Sequence, residues 1–201
     1  MRGKFITLEG MDGAGKSTHI PAMIAALESA GHHVISTREP GGTGLGERLR
    51  ELLLHEAMHP ETEALLMFAA RRQHIAEVIE PALVSGAYVL SDRFSDASFA
   101  YQHGARGVSA DKILQLEKWV HPHLQPDLTI LFDVPVEVSV ARLADARSPD
   151  KFEREGTEFF TRIRNAYLER AAESPERFRM INGNQPRALV EEDLLHIIEN
   201  L

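Results

Sequence analysis

Five short runs of mostly apolar, β-favouring residues punctuate the chain, at 4–9, 33–37, 87–91, 128–133 and 178–182. The first reads Lys-Phe-Ile-Thr-Leu-Glu and the fourth Leu-Thr-Ile-Leu-Phe-Asp. Both lack the strict polar alternation of a half-exposed strand, which suits strands covered on both faces. Between the runs, apolar residues recur at helical spacing, as at Ile20, Met23, Ile24 and Leu27. The pattern predicts helices over about 16–30, 44–56, 61–85, 95–103, 109–120, 136–146, 156–173 and 186–200. Strands alternating with helices predict one α/β domain over 1–201, a five-stranded parallel sheet with helices on both faces.

Boundary residues refine this pattern. Gly31 is expected to cap the first helix, and Pro60 with Glu61 to open the third. Pro21 and Pro81 lie inside predicted helices, where each removes an N–H and should bend its helix. Residues 145–156 are charged and contain Pro149 and Gly156, so they read as a mobile surface loop placed to act as a lid.

The turn after the first predicted strand carries the most specific chemistry. Gly10-Met11-Asp12-Gly13-Ala14-Gly15-Lys16-Ser17 fits the phosphate-loop pattern G-x-x-x-x-G-K-[ST]. Its glycines let backbone N–H groups curl around a phosphate chain, and Lys16 brings a positive charge to the outer phosphates. The Ser17 hydroxyl can hold Mg²⁺, and the helix that begins here adds its positive dipole end. The strand–loop–helix context is the one this motif needs, so the fold is expected to be of the P-loop NTPase type.

Composition narrows the class. A net charge of −8 argues against general nucleic-acid binding. Without Cys, disulfides, thiol chemistry and thiolate zinc sites are excluded. No apolar run approaches the roughly 20 residues of a membrane span, and the N-terminus has no signal-peptide pattern, so a cytoplasmic protein is expected. The scattered His residues suggest no metal site. The base-recognition motif N-K-x-D is missing, which leaves a compact phosphoryl transferase as the economical reading.

Such an enzyme needs a second site, for a phosphate-bearing acceptor. Arg38 follows the second predicted strand and Arg93 the third. Ligands of open α/β sheets bind beyond the carboxyl ends of the strands, so the two guanidiniums can converge on an acceptor phosphate. Another acceptor specificity, or a nucleotide-binding module without turnover, remains the alternative.

Beyond the phosphate loop, three further segments carry a family resemblance: Thr37-Arg38-Glu39-Pro40-Gly41-Gly42-Thr43, Leu66-Met67-Phe68-Ala69-Ala70-Arg71, and Ser91-Asp92-Arg93-Phe94 continuing to Ala97-Ser98 and Ala100-Tyr101-Gln102. In order and spacing the whole chain resembles the bacterial-type thymidylate kinases. The resemblance implies transfer of the γ-phosphoryl of ATP to dTMP, with Mg²⁺, in a homodimer. It implies that Gly10, Met11, Asp12, Gly13, Ala14, Gly15, Lys16, Ser17 and Thr18 bind ATP. It places Asp12 and Asp92 near the metal, and Arg38 and Arg93 on the monophosphate. Phe68 would stack on thymine, and Arg71, or Arg72 if the helix is phased one residue on, would meet a base carbonyl. Ser98 and Gln102 would complete the base edge, and Tyr101 would exclude a sugar 2′-hydroxyl. Gly13 stands where some members carry Arg; the subgroup without it supplies cations from the lid, here Arg147, Lys151 and Arg154. Arg147 is the expected partner of the transferred phosphoryl, beside the catalytic residues Asp12, Lys16 and Arg93. Arg142 is expected to border the adenine.

Overall fold

The computed structural model describes residues 2–144 and 150–201. Its strands are β1 (Phe5–Glu9), β2 (Val34–Arg38), β3 (Tyr88–Asp92), β4 (Leu128–Asp133) and β5 (Phe178–Asn182). They form one parallel sheet in the order β2-β3-β1-β4-β5. Every residue of β1 is buried, whereas the edge strands β2 and β5 are only partly covered. The apolar runs of the sequence therefore mark the centre of the sheet most strongly.

The pleat sends alternate side chains into two cores. Ile6, Leu8, Leu90 and Phe132 join one cluster; Phe5, Val89 and Phe94 join the other. Between strands, the Thr7 and Thr129 hydroxyls satisfy each other at 2.8 Å. The register sets Leu8 beside Asp92 and Arg38 beside Asp92, so β1, β2 and β3 end side by side. The turns after all three open on the same edge of the sheet.

The helices are α1 (Lys16–Ser29), α2 (Gly44–His55), α3 (Pro60–His74), α4 (Glu80–Val84), α5 (Ser95–Ser98), α6 (Ala110–Val120), α7 (Val136–Ala144), α8 (Thr157–Glu173) and α9 (Arg187–Glu199). Gly31, at φ +88°, ends α1 as expected. The Gly31 N–H bonds the Glu28 carbonyl and the His32 N–H the Leu27 carbonyl, a Schellman pattern. At the start of α3, Pro60 occupies the first turn and the His59 side chain accepts from the Glu61 N–H at 3.2 Å.

Helix α1 continues through Pro21, which is exposed, so its missing donor falls on the solvent side. Two local expectations need correction. The predicted 61–85 helix is instead α3, a π-helical turn Ile75–Ile79, and α4 with Pro81 in its first turn. The wider turn thus absorbs the proline. The predicted 95–103 helix is α5 followed by a π-helical stretch, Phe99–Ala105. The loop at 145–156 is also only partly as expected. Residues 145–149, Arg147 among them, lie outside the described residues. From Asp150 the chain is packed: Phe152 is buried against Tyr101 and Phe159, and the Lys151 N–H donates to the Leu54 carbonyl at the end of α2. The charged composition hid the apolar anchor.

Candidate active site

The phosphate loop runs from the end of β1 into α1. Gly10 has φ +133°, and a Cβ there would stand 2.5 Å from the Phe132 carbonyl oxygen. Gly13 has φ +77°, and its Cβ would stand 2.7 Å from the Ser139 carbonyl oxygen on α7. Both positions need glycine for conformation and for space. Ser17 and Thr18 lie exposed in the first turn of α1, where backbone N–H groups and the helix dipole favour an anion. The buried Lys16 ammonium donates to the Gly10 and Met11 carbonyls at 3.0 and 3.1 Å. Burial and the nearby Arg93 lower its pKa, while Asp92, Asp12 and Glu9 work the other way.

Opposite the loop stands Arg93, the one non-glycine residue with positive φ (+75°) among the described residues. A left-handed arginine is strained and persists only where its surroundings fix it. Its N–H bonds the Leu8 carbonyl, and the next N–H, of Phe94, donates to Glu9 Oε1 at 2.8 Å. Its guanidinium donates to Asp12 Oδ1 (2.6 Å), the Gly10 carbonyl (3.1 Å), Tyr167 Oη (3.0 Å) and Tyr101 Oη (2.9 Å). The Tyr101 hydroxyl donates in turn to Asp12 Oδ2 at 2.8 Å. Desolvation alone would raise the Asp12 pKa; Arg93 and Lys16 outweigh it and bring the carboxyl down to about 2. Buried Glu9 takes the opposite course. Desolvation and the neighbouring Asp96 carboxylate push it up to about 8.

A cavity extends from Asp12 and Arg93 towards α3. Its far wall holds Arg71, Ser98 and Gln102. Arg71 donates to Glu39 Oε2 (2.7 Å), to the Phe94 carbonyl (3.0 Å) and to Ser98 Oγ (3.1 Å). Glu39 also meets His74 Nδ1 at 2.9 Å, and its pKa is lowered: Arg71 and the His74 contact overcome the burial that would raise it. The guanidinium of Arg71 is thereby held between the rings of Phe68 (4.5 Å) and Phe94 (5.2 Å).

Of the residues singled out in the sequence, Asp12, Arg71, Arg93, Ser98, Tyr101 and Gln102 line this one cavity. Phe68 does not: it is buried, with the Arg71 guanidinium 4.5 Å over its ring and the His121 ring 6.4 Å away. Arg72 points elsewhere, donating to the Val120 carbonyl at 3.3 Å. Arg38 is more than half exposed and paired with Glu47 at 2.9 Å at the rim. Asp92 Oδ1 is buried without a hydrogen-bond partner among the described residues. Arg142 bridges the Gly13 and Gly183 carbonyls, both at 3.1 Å, tying the phosphate loop to the turn after β5. Lys151 pairs with buried Glu63 at 2.8 Å.

Sequence reasoning missed Glu39 and Arg50. Glu39 sits within the Thr-Arg-Glu-Pro segment, but its burial depends on Arg71 and His74, more than thirty positions away. Arg50 lines the cavity and donates to the Pro40 carbonyl at 3.0 Å. Its pKa is lowered by burial, then by Arg38, with Arg93 adding to the effect. Three guanidiniums close enough to repel one another make a site that favours an anion.

The thymidylate kinase family model matches residues 8–194. A thymidylate kinase of Methylobacillus flagellatus is 70% identical over 198 residues, 98% of each chain. One of Cupriavidus metallidurans is 61% identical over the full length of both chains. A crystal structure of thymidylate kinase from Ehrlichia chaffeensis matches with a TM-score of 0.79 at 30% identity, covering 99% of each chain.

Proposed function

This chain belongs to the thymidylate kinase family, and from that premise we propose how its residues carry the γ-phosphoryl of ATP to dTMP, giving dTDP. The observation that carries the reading is a single cavity with cations and the phosphate loop at one end and the Arg71–Ser98–Gln102 wall at the other. A monophosphate ester has a second pKa of about 6, so the attacking oxygen needs no general base at neutral pH. What the reaction needs is cations and alignment, since charge spreads over the transferred group in the transition state. Asp12, held near pKa 2, fits an orienting role and not that of a base.

In this reading Lys16 exchanges its two loop carbonyls for phosphate oxygens of ATP, with the N–H groups of residues 10–18 around them. Arg93 and Arg50, with Arg38 at the rim, hold the acceptor phosphate. Asp12 and Tyr101 fix Arg93, and Tyr101 fills the space beside the sugar 2′ position. Arg71 meets a thymine carbonyl, with Phe68 acting on it from behind; Ser98 and Gln102 complete the edge. Arg142 borders the adenine.

Mg²⁺ fits the residues present. The unpartnered Asp92 Oδ1 and the exposed Ser17 hydroxyl are hard oxygen donors beside the loop. An ion of this kind is held by one or two protein oxygens together with substrate phosphates and water. When bound, the ion supplies charge neutralisation on those phosphates.

A homodimer is supported by a solvent-exposed apolar face where α3 packs on α6: Trp119 is 80% and Leu65 54% exposed. A second copy is the proposed cover. No described helix is long and apolar enough to cross a membrane, and a cytoplasmic location is part of the proposal.

The test is ADP release with ATP, Mg²⁺ and a panel of dTMP, dUMP, dCMP, dGMP and UMP. Preference for dTMP is expected; normal ATP binding with no diphosphate formed from any acceptor would end the kinase reading. Arg147→Ala is expected to lower kcat by about 10²-fold or more while KM changes little, because that cation acts on the transition state. An unchanged kcat would remove Arg147 from the mechanism.

A further inference from the structure

Glu63, in the first turn of α3, is a carboxylate with only 2% of its surface exposed, and no step above uses it. Three other side chains converge on it. Gln102 Nε2 donates to Glu63 Oε1 at 2.9 Å, Lys151 Nζ pairs with Oε2 at 2.8 Å, and Arg106 Nε lies 3.9 Å from Oε1. These groups come from separate places: Gln102 and Arg106 from the π-helical stretch and its end, Lys151 from the packed segment after residue 149. Arg106 also pairs with Glu155 and lies over the Phe159 ring at 4.8 Å.

The chemistry of the Glu63–Gln102 pair is one-directional. An ionised carboxylate only accepts hydrogen bonds, so the Gln102 amide must turn its nitrogen to Glu63. Lys151 and Arg106 bring their cationic groups to the same carboxylate. With the nitrogen committed, the carbonyl oxygen is the end that Gln102 offers to the cavity it lines.

We infer that Glu63 is a positioning residue that sets base specificity: it locks the Gln102 amide so that an acceptor faces the base, selecting a pyrimidine with an N3–H donor over one whose N3 is a lone pair. Thymine and uracil have that donor; cytosine does not. A site built to accept from a ligand N–H rejects an analogue that presents a second acceptor, because two lone pairs then face each other in a dry pocket. The inference rests on the acceptor-site reading above.

The experiment compares kcat/KM for dTMP and dCMP in the wild type, Glu63→Gln and Lys151→Met. An amide at 63 can accept or donate, so Gln102 is no longer held in one sense. The dTMP-over-dCMP preference is expected to fall by about 10-fold or more in Glu63→Gln, with KM for ATP unchanged. Lys151→Met removes the salt bridge but leaves the carboxylate facing Gln102, and is expected to keep the preference; a merely structural role would weaken both variants alike. A full preference in Glu63→Gln, or equal losses in the two variants, overturns the inference. A wild type without preference for dTMP would instead overturn the site reading, and the inference with it. If Glu63→Gln does not fold, the side-chain amide protons of Gln102 in the dTMP-bound wild type decide by NMR. Slow exchange and a downfield shift support the lock; fast exchange with solvent contradicts it.

Discussion

Arg71, buried, and Arg93, partly buried, both stand in the cavity wall, and each is held by a carboxylate: Glu39, which sequence reading passed over, and Asp12, which the phosphate-loop pattern marks. Removing one partner of a buried pair leaves the other desolvated and unpaired. Arg71→Ala is therefore expected to destabilise the protein by about 3–5 kcal/mol in chemical denaturation, since Glu39 keeps only His74. It should also lower kcat/KM for dTMP more than ATP binding; equal losses on both substrates would place Arg71 outside the base site. The arginines themselves were legible, because each follows a strand or shares the helix that faces the same sheet edge. The partner of Arg71 was not. A Glu in a polar segment looks the same whether it is solvated or buried, and what decides Glu39 and Glu63 is contact with residues roughly thirty to ninety positions away.

Elements place these side chains, and here the phosphate loop is the most constrained. Gly13 combines a left-handed backbone with an approach to α7 that no side chain fits. Gly13→Ala is expected to cost about 1–3 kcal/mol and to raise KM for ATP, as read by thermal denaturation and ATP titration. Unchanged stability would mean that α7 yields freely. The sequence marks this loop through its glycines but says nothing of α7 as the neighbour that forbids a larger residue. Strand positions were legible because burial on both faces leaves continuous apolar runs. The π-helical turns at 75–79 and 99–105 were not, because their residues carry ordinary helical spacing. The segment from 150 onward misled for the opposite reason: charged residues surround Phe152, whose burial makes that stretch a fixed wall.

At the scale of the whole molecule, buried charge makes stability depend on pH. The Glu9 carboxyl lies near 8 when folded against an ordinary 4.5. Between those values the folded state holds a proton that the unfolded chain has released. The contribution of Glu9 is therefore complete below about pH 4.5 and is lost as pH rises through 8. Asp12 acts in the reverse sense, contributing above its ordinary 3.8 and losing that contribution as pH falls towards 2. Thermal denaturation from pH 4.5 to 8 should show a decline that flattens in Glu9→Gln; parallel curves for the two proteins would contradict the buried protonated carboxyl. The apolar face at α3 and α6 gives a second whole-molecule expectation. Trp119→Glu should shift the sedimenting species from dimer to monomer, and a dimer that survives it would put the interface elsewhere.

The central claim is that one cavity receives dTMP, with its phosphate at Arg93 and Arg50 and its base at Arg71 and Gln102. A crystal structure with dTMP bound tests that directly. The expected density has the phosphate within hydrogen-bond distance of Arg93, a base carbonyl on Arg71 and N3 towards Gln102 Oε1. Nucleotide density in the groove beside Trp119 and His123, with this cavity unchanged, would contradict it.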